Sequence, residues 1–249
     1  MPRWPFAAKP ARRARPGREV EAAGLLLPVS VTEYRRASRL TLRIAAGGKA
    51  LKVTVPPRVS EAEIDSFISR NRTWIAARIA RLPEPVALRE GAIIPFLGKG
   101  RRIVHLDRRR GVIEPRSILG EDCLAVPGDP AHLSRRVADF LKREARRLLD
   151  EAVARHARTL GVRPRAIRIA DTTSRWGSCS PSRTLSFSWR IVMAPPEVLD
   201  YLAAHETAHL VEMNHSPAFW RLVKRLCPDM ARHKAWLVRH GPALHAVRL

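Results

Sequence analysis

The chain changes its hydrophobic period several times, and each change marks an element. Residues 1–27 carry no period: Pro2, Pro5, Pro10 and Pro16 break any helix, while Arg12, Arg13, Arg15 and Arg18 repel one another. That stretch reads as a disordered basic tail. From Val29 the period is two. Leu40, Leu42 and Ile44 alternate with Arg39, Thr41 and Arg43, then Gly47-Gly48 turns the chain into Leu51, Val53 and Val55, which predicts a hairpin. Ser60 with Glu63 three residues later is a capping-box pattern. It opens a helix whose face is Ile64, Phe67, Ile68, Trp74, Ile75 and Ile79 and whose end precedes Pro83. Short strands broken by glycine and arginine turns fill the chain from about Ile93 to Val126.

Asp129-Pro130 is a strong helix start, and Val137, Phe140, Leu141, Leu148 and Leu149 carry a long helix to Gly161. A short strand is expected at Ala166–Ala170. Leu185, Phe187, Trp189 and Ile191 then alternate with Thr184, Ser186, Ser188 and Arg190, which predicts a further strand. Ala194-Pro195-Pro196 ends it and starts the next helix. The organisation expected is a tail over 1–27, a strand-rich α+β module over 28–127 and a second domain over 128–249.

Composition narrows the class. A chain of 249 residues, 45% hydrophobic and 28% charged, buries a core without disulfide staples, so a disulfide-built miniprotein is excluded. No uncharged apolar run approaches the ~18 residues of a membrane span, so no membrane partner is expected. Cys123, Cys179 and Cys227 are odd in number and widely spaced, with no export segment before them, which points to a reducing cytoplasm. Lys and Arg outnumber Asp and Glu 46 to 23, a net charge of +23. Such a field attracts nucleic acid and other anions without sequence preference, or is simply a solvated surface. It is a clue to partners and not to chemistry.

Chemistry is carried by His205-Glu206-Thr207-Ala208-His209. The H-E-x-x-H spacing puts two imidazoles one turn apart on one helix face, where both reach one metal, and sets Glu206 beside a metal-bound water. A catalytic zinc takes three protein ligands and keeps one open position, so a third ligand is sought among Glu212, His215, Cys227, Asp229 and His233. Glu212 lies seven residues beyond His205, about 10 Å along a straight helix, too far to share its metal. Asn214 reads as a left-handed helix terminator and Ser216-Pro217 as the cap and first residue of a new helix, leaving His215 on a reversal that returns it to the metal.

The spacing is that of the metzincin peptidases, but Glu212 stands where they have glycine. A closer resemblance is to the YgjP-like zinc metallopeptidase family. It rests on Arg175-Trp176-Gly177-Ser178-Cys179-Ser180, Ala194-Pro195-Pro196-Glu197, His205 to His209, and Asn214-His215-Ser216 with Phe219-Trp220. Thr207 departs from the leucine usual there. The resemblance is specific from about Asp171 to Gly241 and looser before it. It implies a zincin-type fold distantly similar to SprT-like proteases, with one Zn(2+) per chain held by His205, His209 and His215 and with Glu206 as general base.

The fold class expected is therefore α+β, a β-rich amino-terminal module followed by a zincin-like metallopeptidase domain carrying the H-E-x-x-H helix. Arg175 and Trp176 are candidates for substrate binding on a tight loop, with Arg175 also a candidate oxyanion donor. The plainer alternative makes Trp176 a core anchor and Cys179 a small buried hydrophobe. Phe219, Trp220, Leu222, Val223 and Leu226 have helical spacing and read as core. The function expected is a zinc-dependent metallopeptidase acting on peptide or protein. Two alternatives stand beside it: a zinc-dependent nucleotide or phosphoanhydride hydrolase, and a basic nucleic-acid-binding protein with structural zinc.

Overall fold

The computed structural model describes residues 12–14, 18–22, 24–45, 48–172 and 175–248. Pro2, Pro5, Pro10, Arg15, Pro16 and Gly47, all read from the sequence above, lie outside the described residues. The chain divides into two compact units, Met1–Pro83 and Glu84–Leu249.

In the first unit, β1 (Arg12–Ala14) and β2 (Arg18–Ala22) pair antiparallel with β3 (Leu25–Tyr34). β5 (Leu51–Val55) runs parallel to β3, and β4 (Thr41–Ile44) closes the expected hairpin with β5. The period-two pattern decides the faces: Leu51, Val53 and Val55 are buried with Leu27, Val29 and Val31. Helix α1 (Glu61–Arg70) begins on the full capping box of Ser60 and Glu63. The single helix expected to reach Pro83 breaks at Asn71 into α1 and α2 (Arg72–Ala80), and Trp74 is half exposed, not on the buried face with Ile64, Ile68 and Ile75. Of the residues 1–27 read as disordered, Arg12–Ala14 and Arg18–Ala22 are strands, and much of the remainder lies outside the described residues. Proline and arginine forbid a helix there but not an edge strand, and Arg18 is drawn to Asp65 at 2.6 Å and to Glu61.

In the second unit, β6 (Val86–Ala87) is followed by a sheet of β7 (Ile93–Phe96), β8 (Lys99–Leu106), β9 (Glu114–Ile118) and β10 (Glu121–Pro127) in the order β7-β8-β10-β9. Asp129 caps a short 3-10 turn, and α3 (Leu133–Leu160) then runs 28 residues to Gly161, whose φ of 65° ends it in the left-handed region. A second sheet has the order β11 (Ala166–Ala170), β13 (Thr184–Ser188), β12 (Gly177–Cys179), which leaves β12 at the edge. Helices α4 (Pro196–Ala208), α5 (Pro217–Leu226) and α6 (Met230–Ala246) follow, and β14 (Val247–Arg248) pairs with β6. The protein is α+β, and among the described residues no helix is long and apolar enough to cross a membrane.

The division falls at Pro83, not at the expected 127/128 boundary. The reason is packing: Ile94, Phe96, Ile103, Leu124 and Val126 of the β7–β10 sheet share one core with Val137, Leu141 and Leu149 of α3 and Val198 and Leu202 of α4. The turn after β7 is tied to the same core, Leu97 N–H donating to Val192 O at 2.9 Å and Gly98 N–H to Met193 O at 3.2 Å. Gly98 has φ +78, and a Cβ there would sit 3.1 Å from Pro195 Cα, so this contact needs glycine. The strand read over Thr184–Ile191 stops at Ser188, because Trp189–Met193 turns into a 3-10 helix. Trp189, Ile191, Val192, Met193 and Ala194 are all fully buried, so an alternating pattern no longer describes the segment.

Candidate metal centre and active site

Helix α4 starts on Pro196 and is buried on most of its surface, with Val198, Leu199, Leu202, Ala203, Ala204 and Ala208 packed inside. Its neighbour α3 holds it through Asp200, which accepts from Arg155 at 2.7 Å and from His156 Nε2 at 3.0 Å. α4 therefore presents His205, Glu206 and His209 from a fixed support. The helix ends at Ala208 with His209 as its cap, still in right-handed geometry.

The reversal to α5 is not made by a left-handed Asn214: the residues with positive φ among the described non-glycines are Arg58, Leu97, Leu119 and Arg183. Instead the Asn214 side chain accepts from Ser216 N–H at 3.0 Å, and Ser216 Oγ caps α5 by accepting from Phe219 N–H at 3.2 Å. His215 stands between these two bonds and is returned to α4 as expected.

Ring nitrogens of His205, His209 and His215 lie within 4.8 Å of one another, the one such group of three or more His, Cys, Asp or Glu among the described residues. His205 Nε2 and His215 Nε2 face each other at 3.3 Å. His209 Nδ1 donates to Glu212 O at 2.9 Å, which fixes its tautomer and leaves the Nε2 lone pair free. Fully buried Phe219 floors the group, stacked on His209 at 4.4 Å between ring centroids and edge-on to His205 at 4.9 Å. Burial first, then the neighbouring imidazoles and Lys234, push His205 down to about 4, and burial also lowers His209. Both are thereby held neutral, the form that ligates. The buried Nδ1 of His205 bonds nothing among the described residues. Three converging imidazoles fit a metal ion. Glu212, Cys227, Asp229 and His233 do not join the group; Glu212 contributes only its carbonyl.

Glu206 is 4% exposed, and burial pushes its carboxyl up to about 8 against the opposing pull of Arg175. From α4 its side chain packs against Gly177 of the edge strand β12. A Cβ on Gly177 would fall 2.6 Å from Glu206 Cγ, so only glycine lets the carboxylate occupy this place. That is the physical content of the Trp176-Gly177-Ser178 segment, and the sequence gave no sign that Gly177 answers to Glu206. A cleft of ≈ 290 Å³ opens beside them, walled by Trp176, Tyr201, Leu202, Leu237 and Val238, with Lys234 at 4.7 Å over the Trp220 ring.

Trp176 is thus both cleft wall and packed residue. Its ring lies 4.2 Å from that of His245 and leaves no room for a side chain on Gly241, where a Cβ would meet it at 3.0 Å. Beneath this stack, Arg190 is 2% exposed, pairs with Asp171 at the start of the loop, donates to Val247 O at 3.1 and 3.3 Å, and lies 4.4 Å over the Trp189 ring. The loop leading to Arg175 and Trp176 is pinned by this buried guanidinium to the carboxy-terminal strand. Arg190 was read from the sequence as the polar side of a strand, and nothing local marks it as buried. Arg175 itself is exposed, its carbonyl accepting from Thr172 Oγ1 at 2.7 Å. Phe219 and Val223 are core as expected, and Cys179 is partly buried while Cys123 and Cys227 are buried.

Comparison with curated protein sequences finds no significant match. Among solved structures, the crystal structure of the metallopeptidase zymogen of Pyrococcus abyssi abylysin is similar at 21% identity over 36% of this chain and 93% of that one. Its TM-score of 0.34 is too slight a likeness to carry structure or function across. The sequence matches the YgjP-like metallopeptidase domain over residues 38–240, which takes in β4 to α5, most of α6 and every residue of the three-histidine group. A match over that share of the chain places this protein in the YgjP-like metallopeptidase family.

Proposed function

We propose that this metallopeptidase is zinc-dependent, that His205, His209 and His215 hold one zinc per chain, and that Glu206 is the general base for peptide-bond hydrolysis. The observation that carries the reading is the convergence of three imidazole nitrogens beside one buried carboxyl group at the mouth of a cleft. Two nitrogens bound to a tetrahedral zinc at about 2.0–2.1 Å stand about 3.3–3.4 Å apart, and His205 Nε2 and His215 Nε2 are 3.3 Å apart. Three ligands leave a fourth position open, whereas a structural zinc completes four protein ligands and needs no adjacent base. A zinc ion there supplies a Lewis acid that lowers the pKa of water and polarises a carbonyl.

The chain's own groups do the rest. A Glu206 carboxylate oxygen takes a proton from water and returns it to the departing amine nitrogen, and burial raises its proton affinity, which favours the first of these transfers. Gly177 keeps that carboxylate in place. The edge of β12 offers main-chain donors and acceptors to an extended peptide, and the apolar cleft receives one of its side chains. Arg175, exposed and near enough to act on Glu206, is our candidate to steady negative charge at the substrate carbonyl. An open strand edge suits a peptide better than a nucleotide, which favours peptide over phosphoanhydride chemistry. Three unpaired cysteines support a reducing, cytoplasmic setting.

Glu206→Gln tests the reading. It should keep zinc and fold but lose casein hydrolysis by about a hundredfold or more. Nucleoside triphosphates assayed beside casein should stay intact. Near wild-type turnover by the variant, or hydrolysis of the triphosphate alone, would contradict it.

A further inference from the structure

The second unit has another cleft, ≈ 360 Å³ in volume, which shares no lining residue with the one beside Glu206. It lies between Gly111–Ile113, just before β9, and the first turns of α3, where Arg135, Arg136, Asp139 and Arg143 line it. Arg136 is built into the wall. Its guanidinium donates to Gly111 O at 2.9 Å and lies over Gly128, where a Cβ would come within 3.1 Å of Cζ. Its Nε is buried and bonds nothing among the described residues. Arg135 and Arg143 are exposed, and neither pairs with a carboxylate among the described residues.

The same two stretches, 107–113 and 135–143, hold seven basic residues against Asp107 and Asp139. Arg108, Arg109 and Arg110 at its border are all exposed. Most other arginines of α3 are already engaged: Arg146 with Asp150, Arg147 with Glu144 and Glu151, Arg155 with Asp200. Along α3, charge left unpaired is therefore concentrated at the cleft, in the amino-terminal turns where the macrodipole adds to it.

We propose that this cleft binds the phosphodiester backbone of a single-stranded nucleic acid. Guanidinium forks match phosphate oxygens in pairs. A chain of closely spaced phosphates also gains from releasing condensed counterions, a gain that is smaller for a peptide with scattered carboxylates. No aromatic residue lines the cleft, so bases find nothing to stack on and binding is indifferent to sequence. The site is separate from the peptidase centre and does not depend on the zinc reading.

The test is fluorescence anisotropy of a labelled oligothymidylate with the full chain across a salt series. Arg135→Ala/Arg143→Ala should weaken binding at least about tenfold at low salt and flatten the slope of log affinity against log salt by about 1.4, two phosphates at ~0.7 each. Arg143→Gln alone should weaken it about threefold. Arg158→Ala/Arg163→Ala removes the same charge from exposed positions elsewhere in the unit and should leave affinity within about twofold and the slope unchanged. Equal losses in the two double variants would overturn the site in favour of diffuse charge. No binding by the wild type at ~50 mM salt, or tighter binding of polyglutamate than of oligothymidylate, would overturn it as well.

Discussion

His205 and His245 look alike when each is taken alone. Both are largely buried, both are pushed down to about 4 chiefly by burial, and both have a buried Nδ1 that bonds nothing among the described residues. Their surroundings differ in kind. His205 faces two other imidazoles whose lone pairs converge with its own, whereas His245 lies under the Trp176 ring with Arg190, Arg248 and Asp171 as its charged neighbours. A depressed imidazole therefore reports burial, not function. What marks the candidate metal centre is the convergence of three imidazoles, and what marks the region around His245 is a clamp: Arg190 holds Asp171 and Val247 O.

The contrast can be broken by placing an obstacle in one region and slack in the other. The largest effect is expected from Gly177→Ala, whose methyl group would displace the Glu206 carboxylate while leaving the three histidines alone. Peptide hydrolysis should fall by about a hundredfold with zinc content unchanged, the loss expected for a misplaced base. Elemental analysis beside a kinetic assay separates the two. Activity within about threefold of wild type would show that the carboxylate has another productive place.

A smaller effect is expected in the clamp. Arg190→Met keeps the bulk but removes the donors to Asp171 and Val247 O, and Asp171 is half exposed and can turn to water. The loss should be about 2 kcal/mol, less than a fully buried pair would cost, and a fall in melting temperature of about 4–8 °C for a chain of this size. Trp176 emission should shift red as the loop loosens. Zinc content should hold, so a variant that lost its metal would show the clamp and the metal centre to be one structure.

The smallest effect concerns pH. Because the His245 pKa is lowered on folding from 6.5 to about 4, the unfolded chain binds a proton in that interval and the folded chain does not. Stability contributed by neutral His245 is present above about 6.5 and is lost as pH falls toward about 4. His245→Phe, which preserves the stack on Trp176, should make the decline of melting temperature over that interval shallower by a few degrees. An unchanged slope would assign the acid sensitivity to other groups.

The two regions also differ in how far the sequence discloses them. The candidate metal centre is legible because its information is local: His205 and His209 are fixed by one turn of helix, and His215 by the cap at Ser216-Pro217. Asn214 fits the same place for a different reason, through its side chain and not its backbone. The clamp is illegible because its partners are distant. Arg190 is satisfied by Asp171 nineteen residues back and by Val247 fifty-seven residues on, so its position in an alternating pattern points it to solvent. The domain boundary fails for the same reason: the β7–β10 strands are recognisable one by one, but their burial against α3 and α4 is set by contacts between distant elements. The edge strands β1 and β2 were hidden by composition, since a proline- and arginine-rich stretch says what it cannot form and not what it pairs with. Thr207 is a residue still to be accounted for, fully buried with an Oγ1 that bonds nothing among the described residues.

The central claim is that converging imidazoles, not buried ones, hold the metal. The direct measurement is zinc content and affinity for wild type, His215→Ala and His245→Phe, purified in parallel and read by elemental analysis and chelator competition. One zinc per chain is expected in wild type and in His245→Phe, with binding weakened at least about a hundredfold in His215→Ala. Full zinc occupancy and affinity in His215→Ala, or loss of the metal in His245→Phe, would contradict the account.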